Sequence, residues 1–344
     1  MRWLYANWKF FITVAIAILF TSFIVDSEIK RFQLNGFAQG TTWQVTYYAT
    51  DSLISQESID DIFDEIDLSM SLYRSNSLIN KFNASEKGIK ADLYLKSVVQ
   101  KSIEIYKISN GTFDITVKPL VQAWGFGVKN VSINTDKKSI KSILKCIGSD
   151  KIFLKNDSLL KSKSCVEIDL NGIAQGYTVD IIADFLETRN ITNYLVEVGG
   201  EIKVKGKKSD GSNFNIGIET PDIISELPFR KIVSIKEGAI TTSGNYRKFR
   251  LQGNKKLSHL INAKSGYPID NEMISVTVWA KDATTADAYD NVLMNLGVNQ
   301  SLKLLKNTAD IEAYFIYLDK KGHVTDTATN GFSKFFKKET DLKK

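Results

Sequence analysis

The chain opens with a long apolar run. Residues Phe10 to Val25 read Phe-Phe-Ile-Thr-Val-Ala-Ile-Ala-Ile-Leu-Phe-Thr-Ser-Phe-Ile-Val, without a charge, after Arg2 and Lys9. A basic start followed by an apolar run is the arrangement of a secretion signal. With Trp8 included, the stretch approaches the roughly 17 residues that a membrane-spanning helix needs. It ends in Val25-Asp26-Ser27-Glu28, which offers no small-x-small cleavage motif, and no cysteine follows for lipid attachment. The expectation is therefore an uncleaved anchor rather than a cleaved signal. The run lacks the polar periodicity of a helix packed on a globular core. Basic residues ahead of it predict a cytoplasmic N-terminus and an exported body, on the periplasmic or extracytoplasmic side of the inner membrane.

Beyond residue 30 the pattern alternates between strand and helix periods. Thr42 to Tyr48 is aromatic, β-branched and alternating, as a strand. Ile59, Ile62, Phe63 and Ile66 recur at helical spacing. A second helix is predicted from about Leu93 to Ile108, stopped by Asn110-Gly111. Cys165 to Leu170 reads as a strand, Asn171-Gly172 as a turn, and Ala174 to Glu187 as a helix with Tyr177, Ile181, Ile182, Phe185 and Leu186 on one side. Further strands are expected at 193–198, 215–219, 232–235, 274–280 and 311–318, with a helix over 287–306. Strands and helices mixed with long connections give an α+β class built around mixed sheets.

Composition narrows the picture. Hydrophobic residues make up 43% and charged residues 24%, so the chain can bury a core and is not a disordered segment. The excess of 45 basic over 39 acidic residues is spread over mild lysine clusters. No dense basic stripe with interleaved aromatics marks a nucleic-acid surface. Cys146 and Cys165 lie outside any Cys-x-x-Cys pair and away from histidine, which argues against zinc. They are either one disulfide in an oxidising compartment or two buried thiols.

Four segments carry candidate chemistry. Asp287, Asp290 and Asn291 fall at i, i+3 and i+4, one face of a helix, and offer hard oxygen ligands suited to Mg²⁺ or Ca²⁺. Acidic residues also favour a helix's first turn for reasons unconnected with metal. Asp169-Leu170-Asn171-Gly172-Ile173-Ala174-Gln175-Gly176-Tyr177 reads as strand, turn and helix start, where N–H groups can hold a phosphate. It matches neither the Walker A nor the Rossmann glycine pattern, and the local pattern alone favours a plain strand-to-helix connection. Gly111 to Val117 with Trp124-Gly125-Phe126-Gly127 could embrace a flat ring or pack a corner. Thr242 to Arg247 is followed by Ser258-His259-Leu260-Ile261, and His259 is one of two histidines.

Taken in order, these blocks resemble the ApbE family of FAD:protein FMN transferases, from about Gly36 to Phe332. The resemblance is carried by Gln39-Gly40-Thr41-Thr42-Trp43, by Ser71-Leu72-Tyr73 with Ser77 and Asn80, and by Ser109 to Thr116. It continues through Asp169 to Gly176, Gly199-Gly200-Glu201, Thr242 to Arg247, Ser258 to Ile261 and Ala286 to Asn291. It implies an ApbE-like, T-fold-related architecture with FAD in a cleft between sheets. It also implies Mg²⁺ held by the Ala174 carbonyl and by Asp287, Asp290 and Asn291. Flavin contacts carry over to Gln39, Ser71, Leu72, Tyr73, Thr112, Phe113, Asp114, Asn171 and Tyr177, and a role in activity to His259. The implied reaction moves FMN from FAD to a threonine of a partner flavoprotein subunit of extracytoplasmic electron transfer, releasing AMP. Hydrolysis of FAD to FMN and AMP, or FAD binding without turnover, remain the alternatives. The expected organisation is an anchor or signal over 1–28, a transferase domain over 29–336 and a basic tail over 337–344. Three departures stand out: Asn291 where the family has threonine, Gln175 where it has lysine, and Gln39 where it has methionine.

Overall fold

The structure is a computed structural model, and it describes residues 28–128, 135–221, 229–245, 249–252 and 255–337. The apolar run before residue 28, Tyr246, Arg247 and the basic tail beyond residue 337 lie outside them. No described helix is long and apolar enough to cross a membrane.

One eight-stranded sheet organises the chain. Its strands, in chain order, are β1 (Lys30–Ala38), β2 (Thr41–Ala49), β6 (Tyr194–Val198), β7 (Glu201–Lys205), β10 (Gly238–Gly244), β13 (Met273–Ala280), β14 (Ile311–Leu318) and β15 (Val324–Ala328). That is also their order across the sheet, and each described ladder is antiparallel. The α+β class read from the sequence holds. β14 shows why the sheet is buried on both faces. Ile311, Ala313 and Phe315 enter the core under the helices, while Tyr314 and Ile316 enter a second core on the opposite face. This is the two-residue period of a strand with apolar neighbours on either side.

The helices α1 (Gln56–Met70), α2 (Leu78–Ala84), α3 (Leu93–Ile108), α6 (Ala174–Thr188) and α7 (Ala283–Leu296) cover one face. The hairpin β8 (Phe214–Glu219) and β9 (Phe229–Ile235) closes the other, with Phe332 from the short helix α9 (Asn330–Ser333). A three-stranded sheet of β3 (Gly88–Lys90), β4 (Ile152–Lys155) and β5 (Ser158–Lys161), the pair β11 (Phe249–Gln252) and β12 (Lys255–Ser258), and the short helices α4 (Lys118–Ala123) and α5 (Lys137–Ile143) fill the connections. Cys146 and Cys165 are joined in a disulfide.

Two expectations are corrected. Residues 165–170 form no strand ladder. Their backbone groups are satisfied otherwise. Asn83 pairs with both the N–H and the carbonyl of Ile168, at 2.7 and 3.0 Å. Lys161 Nζ donates to the Val166 carbonyl at 2.9 Å, and Asp169 N–H donates to the Ile115 carbonyl at 2.7 Å. Buried backbone groups can thus find partners with no neighbouring strand. The helix expected over 287–306 is two helices, α7 and α8 (Val298–Leu305), divided at Gly297, whose φ of 72° ends the first. α7 begins at Ala283 with Asp282 as its N-cap, accepting from Thr285 N–H at 2.7 Å.

Candidate functional site

The start of α7 decides how its acidic residues are read. With the cap at Asp282, Asp287 lies in the second turn, so a first-turn preference does not account for it. Asp287 and Asp290 are 4% and 2% exposed. Among the described residues neither carboxylate faces a lysine, arginine or histidine. Burial pushes the Asp287 carboxyl up to about 7; the Gly176 N–H opposes this and the Asp180 charge adds to it. Burial also holds Asp290 well above the usual carboxylate range, helped by Asp287 and Glu201 and opposed by Thr241 and the Asn291 N–H. Two buried carboxylates repelling each other disfavour their ionised forms.

α6 packs against α7 at this point without side chains between them. A Cβ on Gly176 would lie 2.3 Å from the Ala283 carbonyl oxygen and 2.7 Å from Asp287 Cβ. The contact lets Gly176 N–H donate to Asp287 Oδ2 at 2.9 Å. One turn further along α6, Asp180 accepts from Ala283 N–H at 3.0 Å, Thr284 N–H at 2.8 Å and the Thr284 hydroxyl at 2.5 Å. Lys203 of β7 donates to the same carboxylate at 2.9 Å. The Ala174 carbonyl, at the first turn of α6, accepts from the Thr178 hydroxyl at 2.8 Å.

Asn291 is arranged as a donor. Its Nδ2 reaches Asp290 Oδ1 at 2.9 Å, the Asp287 carbonyl at 3.0 Å and the Gly172 carbonyl at 3.4 Å. An amide carries an acceptor beside its donor, so Nδ2 can hold the protein while Oδ1 serves a cation. The donor set of two carboxylates with carbonyl and amide oxygens is the chemistry of a hard divalent cation. A cation would also relieve the repulsion just described. Among the described residues no group of three or more His, Cys, Asp or Glu side chains is gathered for a metal. The set fits Mg²⁺ only with the carbonyl and amide oxygens included.

The Asp169–Gly176 turn joins this cluster to a cleft of about 260 Å³. Its walls include Leu72, Tyr73, Lys118, Phe126, Asp169 and Asn171. Tyr73 is held at the rim, 75% exposed, by a turn that Asn80 clamps: its Nδ2 donates to the carbonyls of Ser71, Leu72 and Arg74. Lys118, the one ammonium among the described lining residues, pairs with Glu167. Burial raises the Asp169 carboxyl, countered by the Asn171 N–H and by Lys118. His259 stands beside this cleft, its ring edge-on to Phe126 with centroids 6.4 Å apart.

The structure thus brings Leu72, Tyr73 and Asn171 to the cleft, sets His259 against Phe126 of its wall, and places Ala174, Asp287, Asp290 and Asn291 behind it. Other residues expected at the flavin make contacts within the protein. Asp114 is buried, and its carboxylate accepts from the N–H and hydroxyl groups of Thr116 and Ser149. Thr112 and Phe113 are buried beside it and line no part of the cleft. Tyr177 packs edge-on against Tyr94 of α3. Gln39, at a φ of 52°, donates to the Thr178 hydroxyl at 3.0 Å, behind the Ala174 carbonyl. The phosphate cradle expected at the α6 start is also partly taken: Ala174 N–H donates to the Leu170 carbonyl and Gly176 N–H to Asp287. Sequence reasoning missed Asp180, Lys118 and Glu167. Nothing in their local spacing marks them, because each acts on a residue far away in the chain.

Comparison with known proteins gives a consistent picture. The model of the ApbE family matches residues 39–315. A Haemophilus influenzae protein named FAD:protein FMN transferase is 31% identical over 343 residues, 96% of this chain and 97% of its own length. A Vibrio cholerae protein of the same name is 33% identical over 304 residues, 86% of this chain and 89% of its own length. Among solved structures, the flavin transferase ApbE from Vibrio cholerae superposes with a TM-score of 0.80 at 30% identity, covering 89% of this chain and 99% of that one. The Pseudomonas stutzeri flavinyl transferase ApbE, in its apo form, gives 0.81 at 30% identity, with 90% and 97% covered.

Proposed function

The chain belongs to the ApbE family, and we propose that it is an FAD:protein FMN transferase that moves FMN from FAD to a threonine hydroxyl of a partner flavoprotein. The observation that carries this reading is the joining of an open cleft to a buried, cation-seeking carboxylate pair through one turn, residues 169–176. A flavin and a pyrophosphate need these two environments side by side.

In the proposed reaction the threonine oxygen attacks the phosphorus on the riboflavin side of FAD. A new P–O bond forms, the bond to the bridging oxygen breaks, and AMP leaves with that oxygen. The threonine proton is lost to a base. Asp287, Asp290, the Ala174 carbonyl and the Asn291 amide oxygen would hold Mg²⁺, which when bound supplies charge neutralisation at the pyrophosphate. Lys118 places an ammonium on the cleft wall and holds Glu167 beside it. Tyr73 and Phe126 offer aromatic surface at the cleft for a flat ring, and the Asn80 clamp fixes the Tyr73 turn before substrate arrives. We assign His259, edge-on to Phe126, to receive or steady the threonine proton. The charge-free run Phe10 to Val25 behind Arg2 and Lys9 supports an anchored enzyme whose body works outside the cytoplasm, where its acceptors would be electron-transfer subunits.

The test is incubation of the full chain with FAD, Mg²⁺ and a threonine-bearing acceptor domain. The expected products are an acceptor heavier by one FMN and an equal amount of AMP. Bound FAD with no covalent flavin on the acceptor would refute transfer, and free FMN formed without acceptor would make the enzyme a pyrophosphatase.

A further inference from the structure

The α6–α7 contact is a two-point latch with reciprocal chemistry. At one point a backbone N–H of α6, from Gly176, binds a carboxylate of α7, Asp287. At the other a carboxylate of α6, Asp180, binds backbone N–H groups of α7, from Ala283 and Thr284. Positions 176 and 180 are one turn apart on α6, and 283 and 287 are one turn apart on α7, so the two points share one seam of antiparallel helices. The free N–H groups of a helix's first turn need partners when buried. Here Asp282 takes Thr285 N–H and Asp180 takes the two before it. Asp180 is 9% exposed and is balanced by Lys203, whose side chain is 15% exposed. One carboxylate therefore ties α6, α7 and β7 together.

We propose that Asp180 is a positioning residue of the transfer reaction, setting the register of α7 against α6 and with it the placement of Asp287 and Asp290 relative to the Ala174 carbonyl. This rests on reading that cluster as a divalent-cation site. Loss of the latch lets α7 slide or rotate against α6. The ligands survive such a shift, but their mutual geometry does not, and small hard cations are intolerant of displaced ligands. The cleft, whose described walls come from other elements, stays as it is.

The test separates metal affinity from substrate affinity in the full chain held in mild detergent. Mn²⁺ binding is followed by electron paramagnetic resonance, and FAD binding without metal by flavin fluorescence. Asp180→Asn removes the charge and turns an amide donor toward backbone donors. It is expected to weaken Mn²⁺ at least tenfold while metal-free FAD affinity stays within twofold. Thr284→Val deletes one donor at nearly constant shape and is expected to weaken Mn²⁺ about threefold; it carries the test alone if Asp180→Asn does not fold. Mn²⁺ affinity within twofold of wild type in the folded variants overturns the positioning role. So does a parallel loss of Mn²⁺ and FAD affinity, which is the signature of general loosening. Wild-type protein with no saturable Mn²⁺ binding overturns the cation reading itself, and the inference with it.

Discussion

Gly176→Ala perturbs the site without removing any functional side chain. A Cβ at this position lies 2.3 Å from the Ala283 carbonyl oxygen, where side-chain carbons do not come closer than 3.0 Å. The obstacle is backbone, so the helices must separate by about 0.7 Å. Overpacking of this kind costs about 1–3 kcal/mol. Replacing glycine in a helix returns about 1 kcal/mol. The net destabilisation is about 0–2 kcal/mol, a fall in melting temperature of at most about 3 °C for a chain of this size. Activity should suffer far more. The same methyl would stand 2.7 Å from Asp287 Cβ, so the displaced atoms include a proposed ligand. A misplacement approaching 1 Å can cost about a hundredfold in rate. The assay is initial transfer of FMN to acceptor at saturating FAD and Mg²⁺, with thermal denaturation run in parallel. A variant that melts near wild type and transfers within twofold of it would refute the claim that α6–α7 spacing sets catalysis.

Other measurements address separate parts of the argument. Mg²⁺ at a hundred times its dissociation constant should stabilise wild type by about 2.7 kcal/mol; Asp287→Ala should lose both this shift and AMP release, and an equal Mg²⁺-induced shift in that variant would place the cation elsewhere. Burial pushes the Glu187 carboxyl up, but Lys205 and the Tyr194 hydroxyl overcome this and hold it below its ordinary value. Its contribution is therefore present above the unfolded pKa and lost as pH falls through the folded one. Because Glu187 is partly exposed, Glu187→Gln should cost about 0.5–1 kcal/mol at pH 7, a cost that shrinks as pH falls through the folded pKa; a pH-independent cost in urea titrations would contradict the assignment. The disulfide ties the 144–149 turn to the segment leading into Glu167 and Asp169. Replacing both cysteines by serine should cost about 2–4 kcal/mol in equilibrium unfolding, and an unchanged midpoint would mean that the bond constrains nothing.

The legibility of the sequence followed the range of the interactions. α3, α6 and β14 stand within a residue or two of their expected bounds because each has a strong period that its own residues satisfy. β1 was not anticipated: its side chains alternate between exposed and half-buried, so an edge strand presents little apolar signal. Residues 165–170 have strand composition but find their backbone partners in the Asn83 side chain, the Ile115 carbonyl and Lys161. No local pattern reports such partners. The same divide runs through the site. Asp287, Asp290 and Asn291 were visible because i, i+3 and i+4 share a helix face. Asp114 entered the expected flavin contacts through the family resemblance, and its bond to Ser149, 35 residues on, leaves no local signal. Asp180 was invisible because the N–H groups it holds lie 103 and 104 residues away.

The acidic cluster is where this chain departs most from the rules that otherwise govern it. Two other buried charges are matched: Asp180 has Lys203 and three further donors, and Lys161 has the Val166 carbonyl and the face of Phe82. Asp287 and Asp290 have instead each other, the N–H groups of Gly176 and Asn291 and the Asn291 amide, with no ion pair among the described residues. Asp287 binds the Gly176 N–H, but neutralising Asp290 would relieve the repulsion and break no ion pair, so stability alone gives no reason for two charges here. A buried pair of like charges that stability does not call for points to a functional use. The conflict also requires rigidity, since helices left to move would part and let water solvate the carboxylates. Gly176 and Asp180 prevent that by bringing the helix backbones into contact on one seam. In the proposed reading the latch and the unmatched charges are two halves of one device, in which the fold would hold the repulsion in place until a cation resolved it.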